Sequence, residues 1–174
     1  MSKSKHEEYD AIRRAFYLYF QLQVLQSTGL IIEAGPIEYS LLDQTLDWKG
    51  RRYPWNWFDL KRKFRSIPAR FELAISVDGE LCGLIIGKPS RGRRHLSAYY
   101  LEGNPSRIRP LKSILLEMLL EGMRLYGDAL NCSYLRLIRP VEGLLETYRA
   151  AGFQVATGKN IGLYCERALK RGEI

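Results

Sequence analysis

The stretch SYLRLI, residues 133–138, runs directly into RPVEGLLETYRAAGF, residues 139–153, and its reading decides the fold. The first six residues read as a short buried strand. Beyond them, Val141, Leu144, Leu145 and Tyr148 recur at helical spacing. Gly152 stands just past the last of these, where a left-handed C-cap favours a residue without a Cβ. A strand thus feeds a helix, the glycine stops it, and Phe153 starts a new strand.

Upstream, residues 71–77 and 81–87 alternate apolar and polar positions around Asp78-Gly79, a dipeptide that supplies the positive φ angles of a two-residue hairpin turn. A basic turn, KPSRGRR at 88–94, leads to a third strand over residues 95–102. The spacing of Ile114, Leu115, Met118, Leu119 and Met123 predicts a helix from Ser113 to about Tyr126. At the N-terminus a long helix is expected from Glu7 to about Gln26, with Tyr9, Ile12, Phe16, Phe20, Leu22 and Leu25 on its apolar face and Thr28-Gly29 at its end. Leu30-Ile31-Ile32 reads as the first strand and Tyr39 to Leu46 as a second helical stretch. WKGRRYPWNWF, residues 48–58, fits neither period and reads as a loop that lines a pocket or anchors itself to the core through its tryptophans.

At 174 residues and 46% apolar content, one α/β domain spanning 1–174 is expected, with a largely helical N-terminal part over 1–66. No apolar run is long enough to span a bilayer and the N-terminus lacks the apolar stretch of a signal peptide, so the expectation is a cytoplasmic protein with no membrane partner. Cys82, Cys132 and Cys165 are widely spaced, which predicts reduced, buried thiols and no metal. His6 and His95 have no nucleophile or ligand pattern around them and are expected to face solvent. The formal charge of +8 comes in clusters at 49–52, 61–65, 88–94 and 107–112. Such clusters attract polyanions such as coenzyme A or tRNA and can give weak nucleic-acid binding, although charge runs commonly do no more than solvate a face.

The order strand, helix ending in Tyr148-x-x-x-Gly152-Phe153, and final strand pair resembles the closing half of the GNAT superfamily, the Gcn5-related N-acetyltransferases. The resemblance is strongest over 71–167. It implies a mixed central sheet flanked by helices, in which the strand at 95–102 splays from its parallel neighbour, Tyr134 to Ile138, and offers backbone amides to the pantetheine arm. It implies acetyl-CoA as co-substrate and transfer of an acetyl or other acyl group to an amine by direct attack. In the family the pyrophosphate loop has the form Gln/Arg-x-x-Gly-x-Gly/Ala. Here the aligned residues are Arg107, Ile108, Arg109, Pro110, Leu111 and Lys112, leading to Ser113, so that Arg107 matches while Pro110 and Lys112 replace the two small positions. Side-chain cations could then stand in for the missing amide contacts, or Lys112 could close the cleft.

By the same resemblance Tyr148 is the acid that reprotonates the leaving thiolate, its alternative being a core tyrosine. Glu102 is the general-base candidate, with Tyr100 as its companion on the same face, and Leu101 and Glu102 lie on the cofactor strand. Tyr53, Trp55 and Trp57 are acceptor-pocket candidates, with Glu72 in reserve. A homodimer is compatible with the chain. The rival readings are a catalytically silent GNAT-like binding or regulatory module, and a nucleic-acid or tRNA-associated protein. The acceptor has no signature in the sequence.

Overall fold

The computed structural model describes residues 3–106 and 111–169. Helix α1, Lys5–Thr28, starts at a capping box in which the Ser4 side chain accepts from the Glu7 amide and Glu7 bonds back to Ser4. It ends where Gly29 takes φ 73°. Its buried stripe is Tyr9, Arg13, Phe16, Tyr17, Phe20 and Val24, whereas Leu22 is 56% exposed and Leu25 is also exposed, against the sequence expectation. Two polar residues take part of the stripe because their ends are satisfied. Arg13 Nη1 donates to the carbonyls of Pro68, at 2.7 Å, and Arg70, at 3.1 Å, and the Tyr17 hydroxyl donates to the carbonyl of Glu72 at 2.8 Å.

The strands are β1 (Glu33–Gly35), β2 (Phe71–Val77), β3 (Glu80–Pro89), β4 (His95–Gly103), β5 (Tyr134–Ile138), β6 (Gln154–Gly158) and β7 (Gly162–Ala168). They form one seven-stranded sheet in the order β1-β2-β3-β4-β5-β7-β6. Strand β1 begins just after the apolar run 30–32, where pairing with β2 starts at Glu33 opposite Ser76. The β2–β3 turn places Asp78 at φ 51° and Gly79 at φ 78°, the double positive angle expected of it. Neighbouring strands are antiparallel except β4 and β5, which run parallel from His95 opposite Tyr134 to Ala98 opposite Leu137.

The remaining helices are α2 (Tyr39–Leu42), α3 (Trp57–Phe64), α4 (Leu115–Ala129) and α5 (Leu145–Ala150). The second helical stretch continues from α2 as a 3-10 turn over Asp43–Asp47. Helix α3 lies partly inside the stretch read as a loop; the Asn56 side chain caps it by accepting from the Asp59 amide at 3.2 Å. One apolar core, with Phe16, Phe20, Phe71, Tyr126 and Leu135, joins α1 and α4 to one face of the sheet. A second, with Ile37, Leu42, Trp57 and Phe64, covers Ala74, Leu84 and Ile86 on the other. Cys82, Cys132 and Cys165 are all buried. No helix among the described residues is long and apolar enough to cross a membrane.

Candidate functional site

The site originates in one irregularity of pairing. On β3, Ile86 faces Tyr100 and the next residue, Gly87, faces Ala98, so Tyr99 is an extra residue on β4. A bulge bends its strand and increases local twist. Pairing of β4 with β5 ends at Ala98, beside the bulge, and from Tyr99 onward β4 is paired only on its β3 side. Gly87 permits the close approach, since a Cβ there would lie 1.9 Å from the Ser97 carbonyl oxygen.

The gap between the diverging strands is a cavity of about 270 Å³. Its walls are residues 98–103 of β4, Leu115, Leu116 and Leu119 of α4, the segment 137–141 that ends β5 and continues past it, and Leu144 and Tyr148. At the N-terminus of α4 the N-cap residue, Ile114, makes no side-chain cap hydrogen bond among the described residues. Tyr148 is 1% exposed, packs edge-on to Phe153 with ring centroids 6.4 Å apart, and its hydroxyl has no hydrogen bond among the described residues. Burial, with a smaller contribution from Cys165, pushes its pKa up to about 12. At neutral pH the phenol is protonated.

Glu102 lies on the cavity wall but is not an open carboxylate. It accepts from Arg51 Nε at 2.6 Å, Arg51 Nη2 at 2.7 Å and Trp57 Nε1 at 2.8 Å, while Arg51 Nη2 also donates to the Trp55 carbonyl at 2.8 Å. Hydrogen bonding to Glu102 raises the pKa of the Arg51 guanidinium above its ordinary value. The group clamps residues 51–57 onto β4, with both carboxylate oxygens engaged. That clamp argues against the reading of Glu102 as a free general base.

The other sequence candidates divide. Tyr100 and Trp55 line the cavity and meet edge-on, with centroids 5.0 Å apart. Tyr53 stacks on Trp55 and lines an adjoining recess of about 240 Å³ that shares Leu101 and Glu102 with the main cavity. Ser113 lines the cavity as well. Trp57 does not: it is a buried core residue whose indole serves the clamp. Glu72 is buried away from the cleft, with Oε1 accepting from the Ile37 amide at 3.2 Å and Oε2 from Arg70 Nε at 2.9 Å, so it is withdrawn as a substrate residue. Leu111 is core rather than cofactor surface. Arg107, Ile108, Arg109 and the side chain of Lys112 lie outside the described residues.

Sequence reasoning missed Arg139, which enters the cavity wall directly after β5 with φ 50° and donates its amide to the Leu163 carbonyl at 3.0 Å. The only signal was an arginine before a proline at a strand end. His95, expected in solvent, is partly buried beside the Tyr134 ring, and burial followed by the Arg136 charge lowers its pKa. Among the described residues no group of three or more His, Cys, Asp or Glu side chains comes together as a metal site would require.

No protein-family model and no curated protein sequence matches the chain. Solved structures do. The ribosomal-protein-S18-alanine N-acetyltransferase from Escherichia coli superposes with a TM-score of 0.60 at 14% identity, over 82% of this chain and 96% of that one. An aminoglycoside 6'-N-acetyltransferase complexed with coenzyme A gives 0.59 at 15% identity, over 81% and 99%. The PaiA N-acetyltransferase from Thermoplasma acidophilum, in complex with coenzyme A, gives 0.56 at 16% identity, over 80% and 99%. At such identities the likeness speaks of architecture, and the chain has the GNAT fold.

Proposed function

With that fold as premise, we propose that the protein is an N-acetyltransferase that moves an acetyl group from acetyl-CoA to an amine by direct attack in the β4–β5 cleft. The observation that carries this reading is the unpaired edge of β4 beyond Tyr99, facing a cavity whose wall holds the buried phenol of Tyr148. The edge suits the amides of a pantetheine arm, because an extended chain can add to a strand that lacks a neighbour. At the mouth, the N-terminus of α4 suits a diphosphate, with Arg107, Arg109 and Lys112 nearby in sequence as further cations.

In this reading the amine nitrogen attacks the thioester carbonyl and a C–N bond forms. A free β4 amide steadies the oxyanion. The C–S bond then breaks, the amine sheds its proton, and the thiolate takes one from Tyr148. A phenol held up to about 12 is protonated at neutral pH; because it is a weaker acid than a free thiol, its proton moves as the C–S bond breaks and charge builds on sulfur, and solvent then restores the proton to Tyr148. The clamped Glu102 positions Arg51 and Trp55 as part of the acceptor wall, and the amine delivers its proton to solvent.

Calorimetric titration with acetyl-CoA tests the reading. Saturable one-to-one binding, weakened by Arg107→Ala, is expected, since losing a charge-assisted phosphate contact costs roughly 1.5–3 kcal/mol. Absence of any binding heat across several temperatures would leave a GNAT-shaped module with another role.

A further inference from the structure

On the face of the sheet opposite α4, a second cavity of about 430 Å³ lies over β3, β4 and β5. Lys88 of β3 stands in register with Ser97 of β4, and Ser97 with Arg136 of β5, so the three side chains form a row across adjacent strands on one face. All three line the cavity, together with His95 and Arg91, and no acidic residue does.

Each member of the row is held ready yet incompletely used. Arg136 donates through Nε to Glu166 at 2.6 Å and lies 4.7 Å from the centre of the Tyr164 ring, but its terminal amino groups have no hydrogen bond among the described residues. Lys88 sits 5.8 Å from the centre of the Tyr99 ring; neither it nor Arg91 has an ion pair among the described residues. Ser97 is only 8% exposed, and its hydroxyl has no hydrogen-bond partner among the described residues. Buried hydroxyls are rarely left so, because the lost hydration goes uncompensated. A donor hydroxyl between two cations is a setting for an anionic oxygen.

Tyr99 and Ile138 line both this cavity and the β4–β5 cleft, so the row adjoins the proposed reaction centre from the side away from α4. Ile67 and Ile161 bound the groove with apolar surface, and its volume is that of a small-molecule site rather than of a polymer track.

We infer that Lys88, Ser97 and Arg136 bind the phosphate or carboxylate of the acceptor, and that the acceptor is a small anionic amine entering opposite the thioester. This rests on the acyl-transfer reading above. The acceptor's anionic group stays on the row, while its amine passes Tyr99 and Ile138 to reach the carbonyl.

The test uses nuclear magnetic resonance on the full chain. Inorganic phosphate and O-phosphoethanolamine are titrated, with ethanolamine as the control, while the His95 ring and Ser97 amide signals are followed with and without saturating acetyl-CoA. Both phosphates are expected to shift these signals and ethanolamine to leave them in place. Lys88→Ala is expected to weaken phosphate binding about tenfold, and Ser97→Ala several-fold, in folded protein whose melting midpoint is checked in parallel. Lys88→Gln serves if the alanine variant fails to fold.

Saturation with acetyl-CoA is expected to leave phosphate affinity unchanged. Displacement by acetyl-CoA would give the row to the cofactor's own phosphates and overturn the inference. Absence of phosphate binding in protein that does bind acetyl-CoA overturns the inference alone. Phosphate binding through the row in protein that takes up no acetyl-CoA overturns the acyl-transfer reading and the acceptor assignment with it.

Discussion

Replacing Glu102 with methionine removes the centre of the clamp that ties residues 51–57 to β4. Arg51 and Glu102 have side chains only 13% and 10% exposed, and the Trp57 ring beside them is 1% exposed. Glu102→Met leaves Arg51 Nε without its partner and the Trp57 indole N–H buried and unpaired, while Arg51 Nη2 keeps the Trp55 carbonyl. Breaking a buried pair from one side costs about 3–5 kcal/mol. Arg51→Met costs less, because Glu102 keeps Trp57, and about 2–3 kcal/mol is expected. The double variant exchanges two charges for two apolar chains of similar size and should fall well short of the sum, giving a coupling of about 2 kcal/mol. Urea denaturation of the four proteins measures this cycle. In a chain of this size each kcal/mol shifts the melting midpoint by roughly 2–4 °C, so Glu102→Met should stand out in a thermal scan. Single losses below about 1 kcal/mol that simply add would mean an exposed, weakly coupled pair and refute the argument.

Tyr148→Phe removes a hydroxyl that has no hydrogen bond among the described residues, so neutral-pH stability should stay within about 0.5 kcal/mol of the parent while acetyl transfer falls about 10²- to 10⁴-fold; thiol release from acetyl-CoA and a denaturation curve check the two halves. The parent should also weaken between pH 10 and about 12, where the unfolded phenol ionises while the folded one keeps its proton and the unfolded state therefore binds fewer protons. The phenylalanine variant should lack about 3 kcal/mol of that alkaline loss, as curves at both ends of the window will show. Gly87→Ala should cost about 3 kcal/mol or more, because its Cβ would meet β4 backbone rather than a yielding side chain. The charge of +8 predicts weak binding to RNA that fades steeply with added salt, and a mobility-shift assay without any shift at low salt would remove the nucleic-acid reading.

Much of the framework was legible because local chemistry dictated it. Asp78-Gly79 marked the hairpin by its φ requirement, and Tyr148 with Gly152 marked the closing helix. The misses share a cause in distant contacts. Arg13 and Tyr17 fall at helical spacing with the buried Tyr9, Phe16, Phe20 and Val24, whereas Leu22 and Leu25 fall on the opposite side of α1; polarity hid the first pair, whose polar ends are received by carbonyls at 68, 70 and 72. Helix α3 was hidden by its aromatic density, although Asn56 carried a cap signal. At the site, Glu102 was found, but its occupation by Arg51 and Trp57 joins segments 51 and 45 residues apart. The row of Lys88, Ser97 and Arg136 depends on strand register, which no single segment records.

The extra residue at Tyr99 also resets the phase of β4. Ahead of it, Leu96 and Ala98 point to the α4 side of the sheet; after it, that side belongs to Leu101, while Tyr100 and Glu102 point to the α3 side. Even-numbered positions thus change sides midway along one strand. Regular alternation through Tyr99 would turn the Glu102 carboxylate toward the apolar α4 core, with Leu101 turned toward Arg51, whereas deleting residue 99 would leave both on their present sides and remove only the bulge. The strand therefore carries a frame as well as a composition, and substitutions around the cleft should be far better tolerated than a residue gained or lost between 100 and 103.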